Sequence, residues 1–236
     1  MSEQIDDPPI PTVGLNGPDL AAQVGAALRD VGFLNLIDHG VSEELIATAY
    51  KEAQAFFAQP EAEKRKYEVP GAMGQRGYTA TGGEKAAGAI AADLKEFYQI
   101  GPLEGSPCGD NVWPSEAFRN AIEPLYAALR DAAEKVARGV SEHLGLDPEY
   151  LPERIKGGES ILRLIHYPPV PDDAPPAATR AAAHADVNLI TLLVGATAAG
   201  LEIRSRDGAR WLPVVAEPGQ IVADSGDMLQ NLTGGV

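Results

Sequence analysis

The sequence predicts an α+β protein in which helices dominate up to about residue 155 and short strands follow. Two observations carry this prediction. Before residue 155, apolar residues recur at helical spacing, for example Leu20, Val24, Leu28 and Val31. After Gly157-Gly158, short β-forming runs alternate with turn signals, which is typical of a sandwich or barrel such as a jelly roll. One domain of 236 residues is common in that class.

The N-terminal part is expected to comprise a disordered lead, residues 1–9, and a largely helical region, residues 10–155. Its predicted elements are a strand at 10–15, a helix at 18–31, a strand at 33–37, a helix from Ser42 to Pro60, a strand at 93–100 and a long helix from Pro114 to Gly145. The Gly/Ala-rich stretch 69–92 is expected to be a long mobile loop. The basic run Lys64-Arg65-Lys66 is expected to be a solvated helix end.

The C-terminal part, residues 156–236, is predicted to be a partial β-domain, with the boundary near residue 155. Its predicted strands are 160–167, 188–194, 201–205, 211–215, 220–224 and 228–233. Arg206-Asp207-Gly208 lies between two of these strands and signals a hairpin. Pro218-Gly219 and Gly226-Asp227 are read as turns.

Composition excludes several classes of function. The formal net charge of -15 argues against binding to nucleic acid or to an anionic membrane, because both select basic patches. A single cysteine, Cys108, permits no intrachain disulfide and fits a reducing compartment. No signal peptide is visible and no apolar run reaches the roughly 20 residues of a membrane span. The expectation is therefore a cytoplasmic protein, taken to be a monomer.

The candidate site is the pair His184 and Asp186, which precede the β-forming run Leu189 to Leu193. On an extended strand, side chains two apart point to one face, so this imidazole and carboxylate could bind one metal ion. Imidazole with carboxylate suits Fe(II), Mn(II) or Zn(II). The spacing alone is weak, because His-x-Asp also arises by chance.

Several motifs in a fixed order resemble one family. They are Gly32-Phe33-Leu34 with Asp38-His39-Gly40-Val41, Phe56-Phe57-Ala58 with Lys64, Ile161-Leu162-Arg163-Leu164-Ile165-His166-Tyr167-Pro168-Pro169, His184-Ala185-Asp186, Pro218-Gly219, and Gly226-Asp227-Met228-Leu229-Gln230. The sequence is similar, over nearly all of residues 10–236, to the non-haem iron oxygenases of the isopenicillin N synthase and 2-oxoglutarate-dependent dioxygenase superfamily.

The resemblance implies a double-stranded β-helix, the jelly-roll core of this family, that holds Fe(II) by two histidines and one carboxylate and leaves positions open. In most members 2-oxoglutarate and dioxygen take those positions, and oxidation of a small-molecule C–H bond yields succinate and CO2. His184 matches the first iron histidine and Asp186 the carboxylate. Tyr167 matches the tyrosine that hydrogen-bonds the cosubstrate, although it could also be a buried strand tyrosine.

The sequence departs from the family pattern in two places. Ile165 stands where the family commonly has asparagine, which removes one polar contact to the cosubstrate. The second iron histidine and the arginine that clamps the distal carboxylate of 2-oxoglutarate would follow Val236, so the chain is expected to be truncated, incomplete in its β-helix and inactive as given. Two alternatives stay open: an oxidase of the isopenicillin N synthase type that needs no 2-oxoglutarate, and a non-catalytic scaffold.

Other residues that carry charge or a ligating group are assigned structural roles. His166 is adjacent to Tyr167 and is expected to point to the opposite face of its strand. His39 is expected to be a structural turn residue, and His143 a structural residue near the end of the long helix. Lys95 and Glu96 resemble a segment near the family's substrate mouth, but a solvated pair is the expected state.

Overall fold

A computed structural model of the chain describes residues 9–72, 74–84, 91–175, 177–205 and 208–235. The fold mixes helices with short strands, as predicted. Its elements are β1 (Thr12–Gly14), α1 (Leu20–Asp30), β2 (Phe33–Ile37), α2 (Glu43–Phe57), α3 (Glu61–Lys64), a 3-10 turn (Arg65–Tyr67), β3 (Gly77–Thr79), β4 (Glu96–Ile100), α4 (Glu116–His143), α5 (Tyr150–Lys156), β5 (Leu162–His166), β6 (Ile190–Val194), β7 (Glu202–Arg204), β8 (Trp211–Pro213), β9 (Ile221–Ser225) and α6 (Asp227–Thr233).

The elements form two compact units, each assembled from separate stretches of the chain. The first unit comprises residues up to Glu43, Ala128–Lys156 and the chain from Ala185 onward. The second comprises Glu44–Ala127 and Gly157–His184. The N-terminal stretch thus supplies strands to both units, and the sequence boundary near residue 155 stays a prediction.

The first unit contains a four-stranded sheet in the order β1-β2-β9-β6. β2 runs parallel to β1 and antiparallel to β9, and β9 pairs antiparallel with β6. The central strands bury Leu34, Leu36, Ile221 and Ala223 completely, which is why these apolar runs form the interior of the sheet. β7 and β8 form the predicted hairpin, although Arg206 and Asp207 lie outside the described residues.

The second unit contains a three-stranded antiparallel sheet in the order β3-β4-β5. One face of this sheet packs on an aromatic cluster around Phe56, which lies on α2. Its ring centroid is 5.0 Å from that of Tyr98 and 5.7 Å from that of Phe118, both on neighbouring elements of the same unit. Side chains alternate along β4 and β5, so the opposite face carries a separate set of residues.

Three of the predicted elements are close to their observed bounds. α1 and β2 lie where the sequence pattern placed them, and the long helix α4 runs through Pro124. The left-handed backbone of Gly32, with φ of 81°, reverses the chain between α1 and β2, a conformation glycine adopts without steric cost. The predicted disordered lead lies, except for Pro9, outside the described residues.

The predicted strand at 228–233 is wrong, because this segment forms helix α6. Gly226 enters the helix in extended conformation, and Asp227 places a carboxylate in the first turn, where the helix dipole favours it. Leu229 is the one residue of this helix that is buried, while Met228 and Leu232 are exposed, so the segment lacks the alternating burial expected of a strand. Gly234, with φ of 68°, ends the helix.

Two further boundaries differ from prediction. The stretch 69–92 is not one uninterrupted loop, because Gly77–Thr79 forms strand β3 against β4; Met73 and residues 85–90 lie outside the described residues. Strand β6 begins at Ile190 rather than Asn188. Throughout the part of the chain that the structure describes, no helix has the length and apolarity to cross a bilayer.

Candidate iron and cosubstrate site

His184 lies in the connection that precedes β6 and not on the strand itself, so the strand-face argument for pairing it with Asp186 does not hold. The imidazole is exposed, and its Nδ1 lies 2.8 Å from the carbonyl oxygen of Ala182. Because a carbonyl only accepts hydrogen bonds, Nδ1 must carry the proton. The Nε2 atom of this tautomer bears a lone pair, which is the form of histidine that ligates metals.

The Asp186 side chain is held by a residue at the start of strand β6. Its Oδ2 accepts a short hydrogen bond from the hydroxyl of Thr191, and Thr191 in turn accepts one from the side-chain amide of Asn188 at 2.9 Å. The carboxylate is half-buried, so it is neither in bulk water nor in a dry interior. Hydrogen bonds of this kind orient metal-ligating carboxylates and histidines in known sites.

The backbone of the same loop is tied to the start of α6. The carbonyl of Asp186 accepts from Asp227 N at 2.7 Å, and the carbonyl of Leu189 accepts from Gly226 N at 3.1 Å. A Cβ on Gly226 would lie 2.2 Å from the carbonyl oxygen of Asn188 and 2.8 Å from that of Asp186. Only glycine permits this approach, so the Gly226-Asp227 motif positions the Asp186 loop.

Tyr167 follows β5 on the face of the three-stranded sheet that points away from the aromatic cluster. Arg163, Ile165 and Tyr167 share this exposed face by strand alternation. Partial burial raises the pKa of the Tyr167 phenol, so it stays protonated near neutral pH and can donate a hydrogen bond. At 41% exposure it is not a buried strand tyrosine.

The cations on this face already have carboxylate partners. Lys95 Nζ lies 2.9 Å from Asp93 and 2.8 Å from Glu84, and Arg163 lies 3.1 Å from Glu84 while its guanidinium packs over Phe97. Lys95 is only 6% exposed, so the expectation of a solvated Lys95–Glu96 pair is wrong. The physical reason is that each residue is paired with a buried residue of opposite charge: Lys95 with Asp93, and Glu96 with Lys64.

Glu96 faces the other side of the sheet and forms a buried cluster. Its carboxylate accepts hydrogen bonds from Lys64 at 2.6 Å, from Tyr78, and from His166 Nδ1 at 2.7 Å. Lys64 is 7% exposed, so it is not part of a solvated helix end, whereas Arg65 and Lys66 are exposed as predicted. His166 points away from Tyr167, also as predicted.

The remaining two histidines have structural contacts. His39 is buried, with Nε2 2.9 Å from the carbonyl of Gly219 and Nδ1 accepting from Val41 N at 3.1 Å. The ring of His143 lies directly over Gly25, where a Cβ would be 2.1 Å away. In residues 9–235, apart from the undescribed positions, no group of three His, Cys, Asp or Glu side chains is placed to hold a metal.

Sequence reasoning missed Thr191 and Asp93. Thr191 is an ordinary β-former inside a strand, and nothing in the sequence indicates that its hydroxyl bonds Asp186. Asp93 Oδ1 accepts from Ala182 N at 3.0 Å, a contact between residues 89 positions apart. Such pairings depend on how β4 and the 177–184 connection meet, and periodicity carries no information about them.

Two family models match the chain in order. Residues 10–116 match the non-haem dioxygenase N-terminal model, described as that of morphine synthesis, and residues 158–236 match the 2OG-Fe(II) oxygenase superfamily. Homoarginine-6-hydroxylase 2-ODD-C23.1 of Arabidopsis thaliana is 30% identical over 243 residues, covering 93% of this chain and 72% of that protein. The chain belongs to the 2OG-Fe(II) oxygenase superfamily.

Solved structures of superfamily members agree. A 2OG-Fe(II) oxygenase family protein from Caulobacter crescentus matches with a TM-score of 0.81 at 40% identity, covering 96% of this chain and 76% of that one. A full-length Neurospora crassa protein in complex with α-ketoglutarate matches with a TM-score of 0.81 at 26% identity, covering 94% and 74%. The enzyme class, Fe(II) and the cosubstrate 2-oxoglutarate are thereby confirmed for this oxygenase, and its structural neighbours have the predicted jelly-roll fold.

Proposed function

We propose that this oxygenase couples decarboxylation of 2-oxoglutarate, to succinate and CO2, to oxidation of a C–H bond in a small molecule. The proposal assigns His184 and Asp186 as two of the three protein ligands of Fe(II), and Tyr167 as a ligand of the cosubstrate. The proposal is supported by the hydrogen bonds that orient the two side chains: the Ala182 carbonyl accepts from His184 Nδ1, and the Thr191 hydroxyl donates to the Asp186 carboxylate.

The third protein ligand is proposed to lie outside the 236 residues, because the other histidines are engaged in structural contacts. The chain covers 72% of the Arabidopsis relative and 76% of the Caulobacter structure, which leaves room for it. Without that ligand, the 236-residue chain is expected to bind Fe(II) weakly and to turn over little or not at all.

The chain's own residues would supply binding, orientation and exclusion of water, while bound Fe(II) with 2-oxoglutarate supplies the oxidising power. His184 would donate the Nε2 lone pair and Asp186 one carboxylate oxygen. The Tyr167 hydroxyl would donate a hydrogen bond to a carboxylate of 2-oxoglutarate. Lys95 and Arg163 are not assigned as the distal carboxylate clamp, because both are already paired with acidic residues.

The test is an anaerobic titration of the full-length gene product with Fe(II) and then 2-oxoglutarate. A weak visible charge-transfer band is expected, followed by succinate when oxygen is admitted with a substrate. No band and no succinate would contradict the proposal. Oxygen uptake without added 2-oxoglutarate would instead favour an oxidase, the outcome to which Ile165 in place of asparagine points.

Tyr167→Phe is expected to weaken 2-oxoglutarate binding about tenfold, because a hydrogen bond to a charged group contributes about 1.5 kcal/mol or more. Fe(II) affinity should not change. The measurement is the Kd of each by calorimetry without oxygen. Tyr150→Phe is a matched control, since that ring stacks on Arg154 at 3.6 Å. Unchanged 2-oxoglutarate affinity in Tyr167→Phe would leave Tyr167 without a role in cosubstrate binding.

A further inference from the structure

The connection that carries His184 is hydrogen-bonded at two points to the residues just before β4. Leu94 N donates to the carbonyl of Thr179 at 2.8 Å, and Ala182 N donates to Asp93 Oδ1 at 3.0 Å. The Asp93 side chain is 2% exposed, and its second oxygen lies 2.9 Å from Lys95 Nζ. A buried carboxylate with a cation on one oxygen and a backbone N–H on the other is rigidly held.

The chain of contacts continues to the imidazole. Ala182, whose N–H is bound by Asp93, presents its carbonyl to His184 Nδ1 at 2.8 Å. That carbonyl favours the tautomer of His184 with the proton on Nδ1 and contributes to the direction of its Nε2 atom. Displacing Ala182 would remove this hydrogen bond, and a resulting change of ring orientation or tautomer would misdirect the Nε2 lone pair.

We propose that Asp93 is a positioning residue for metal binding, acting on His184 through the peptide of Ala182. Lys95 holds the Asp93 carboxylate in the orientation that binds Ala182 N. This assignment rests on the proposed function, because it presumes that His184 ligates Fe(II). It gives a role to a buried ion pair that lies on the same face of the sheet as Tyr167.

The test is the Kd for Fe(II) alone, measured anaerobically on the full-length protein. Asp93→Leu should raise this Kd about tenfold or more, because removing residues that orient a metal ligand typically lowers metal affinity by that amount. Asp93→Asn keeps an oxygen that can accept from Ala182 N but places its NH2 group against Lys95 Nζ, so it should raise the Kd less than Asp93→Leu does. The charge-transfer band with 2-oxoglutarate should shift more in Asp93→Leu than in Asp93→Asn.

Glu96→Gln is the matched control for loss of a buried carboxylate. Glu96 lies on the opposite face of the sheet and contacts Lys64, Tyr78 and His166, so its loss should lower the melting temperature without changing the Fe(II) Kd. If Asp93→Leu does not fold, Ala182→Pro removes the donor of the same hydrogen bond and leaves the Asp93–Lys95 pair in place. It should raise the Kd similarly.

Two results would overturn the inference: an unchanged Fe(II) Kd in folded Asp93→Leu or Ala182→Pro, or equal losses in Asp93→Leu, Asp93→Asn and Glu96→Gln. His184→Ala separates this failure from failure of the proposed function. If His184→Ala abolishes Fe(II) binding while Asp93→Leu does not alter it, only the positioning role is refuted. If His184→Ala also binds Fe(II) normally, the ligand assignment itself is wrong.

Discussion

Replacing His184 or Asp186 with alanine is expected to abolish iron-dependent turnover and to weaken Fe(II) binding more than about a hundredfold. Removing a residue that hydrogen-bonds a metal ligand typically lowers metal affinity about 10–100-fold. Removing the ligand itself should lower the affinity further. His184 is exposed and Asp186 is half-buried, so neither truncation leaves a large cavity. The fold should therefore survive, with a circular dichroism spectrum and melting temperature close to those of the wild type.

The matched controls are an exposed residue of each type outside the site, His143→Ala and Asp173→Ala. Both should retain Fe(II) affinity and succinate formation in the full-length protein. Fe(II) binding is measured anaerobically and succinate by mass spectrometry. Retained turnover in either His184→Ala or Asp186→Ala would remove that residue from the ligand set.

Lys64→Met is expected to destabilise the fold by about 3–5 kcal/mol, because it leaves the buried Glu96 carboxylate without its cationic partner. The side chains of Lys64 and Glu96 are 9% and 6% exposed, and Lys64 Nζ contacts both carboxylate oxygens. The melting temperature should fall by roughly 10 °C for a chain of this length. Adding Glu96→Gln to Lys64→Met should recover part of the loss, since it removes the uncompensated charge.

The pH dependence gives a second measurement of the same cluster. Burial by itself would raise the pKa of Glu96, but the hydrogen bonds from Lys64, Tyr78 and His166 lower it below its usual value of 4.5. A lowered pKa contributes stability that is present above the unfolded-state value and is lost as the pH falls through the folded-state value. The free energy of unfolding should therefore drop below about pH 4.5 in the wild type, and less steeply in Lys64→Met.

Lys66→Met is the control for this substitution. It breaks an ion pair with Glu63 whose side chains are 62% and 51% exposed, and such pairs contribute about 0–1 kcal/mol. A destabilisation in Lys64→Met no larger than that in Lys66→Met would show that the buried pair contributes little to stability.

Elements whose signal is local could be predicted from the sequence. The bounds of strand β2, Phe33–Ile37, are predicted to the residue, because a glycine precedes this short apolar run and a turn follows it. Helices α1 and α4 follow from apolar spacing over several turns. The family, with its metal and cosubstrate, followed from motifs in a fixed order rather than from any single spacing.

Features that depend on distant partners could not be predicted. Lys64, Lys95 and Glu96 are of residue types that are rarely buried unless they are paired. Lys64 pairs with Glu96, 32 positions away, and Lys95 pairs with Asp93. Met228 to Thr233 has both strand-like and helix-like residues, and the amides of Asp227 and Met228 at the start of the observed helix bond carbonyls of residues 186–188, about 40 positions earlier in the sequence.

The hydrogen bonds between the Asp186 loop and the start of α6 also determine when this loop can take its native shape during synthesis. The carbonyls of Asp186, Val187 and Asn188 are held by amides of Asp227 and Met228, which are synthesised later. These backbone bonds cannot form until the chain has been synthesised through Met228. On the proposed assignment of Asp186 as a ligand, we expect a chain that ends before Gly226 to bind Fe(II) more weakly than the 236-residue chain.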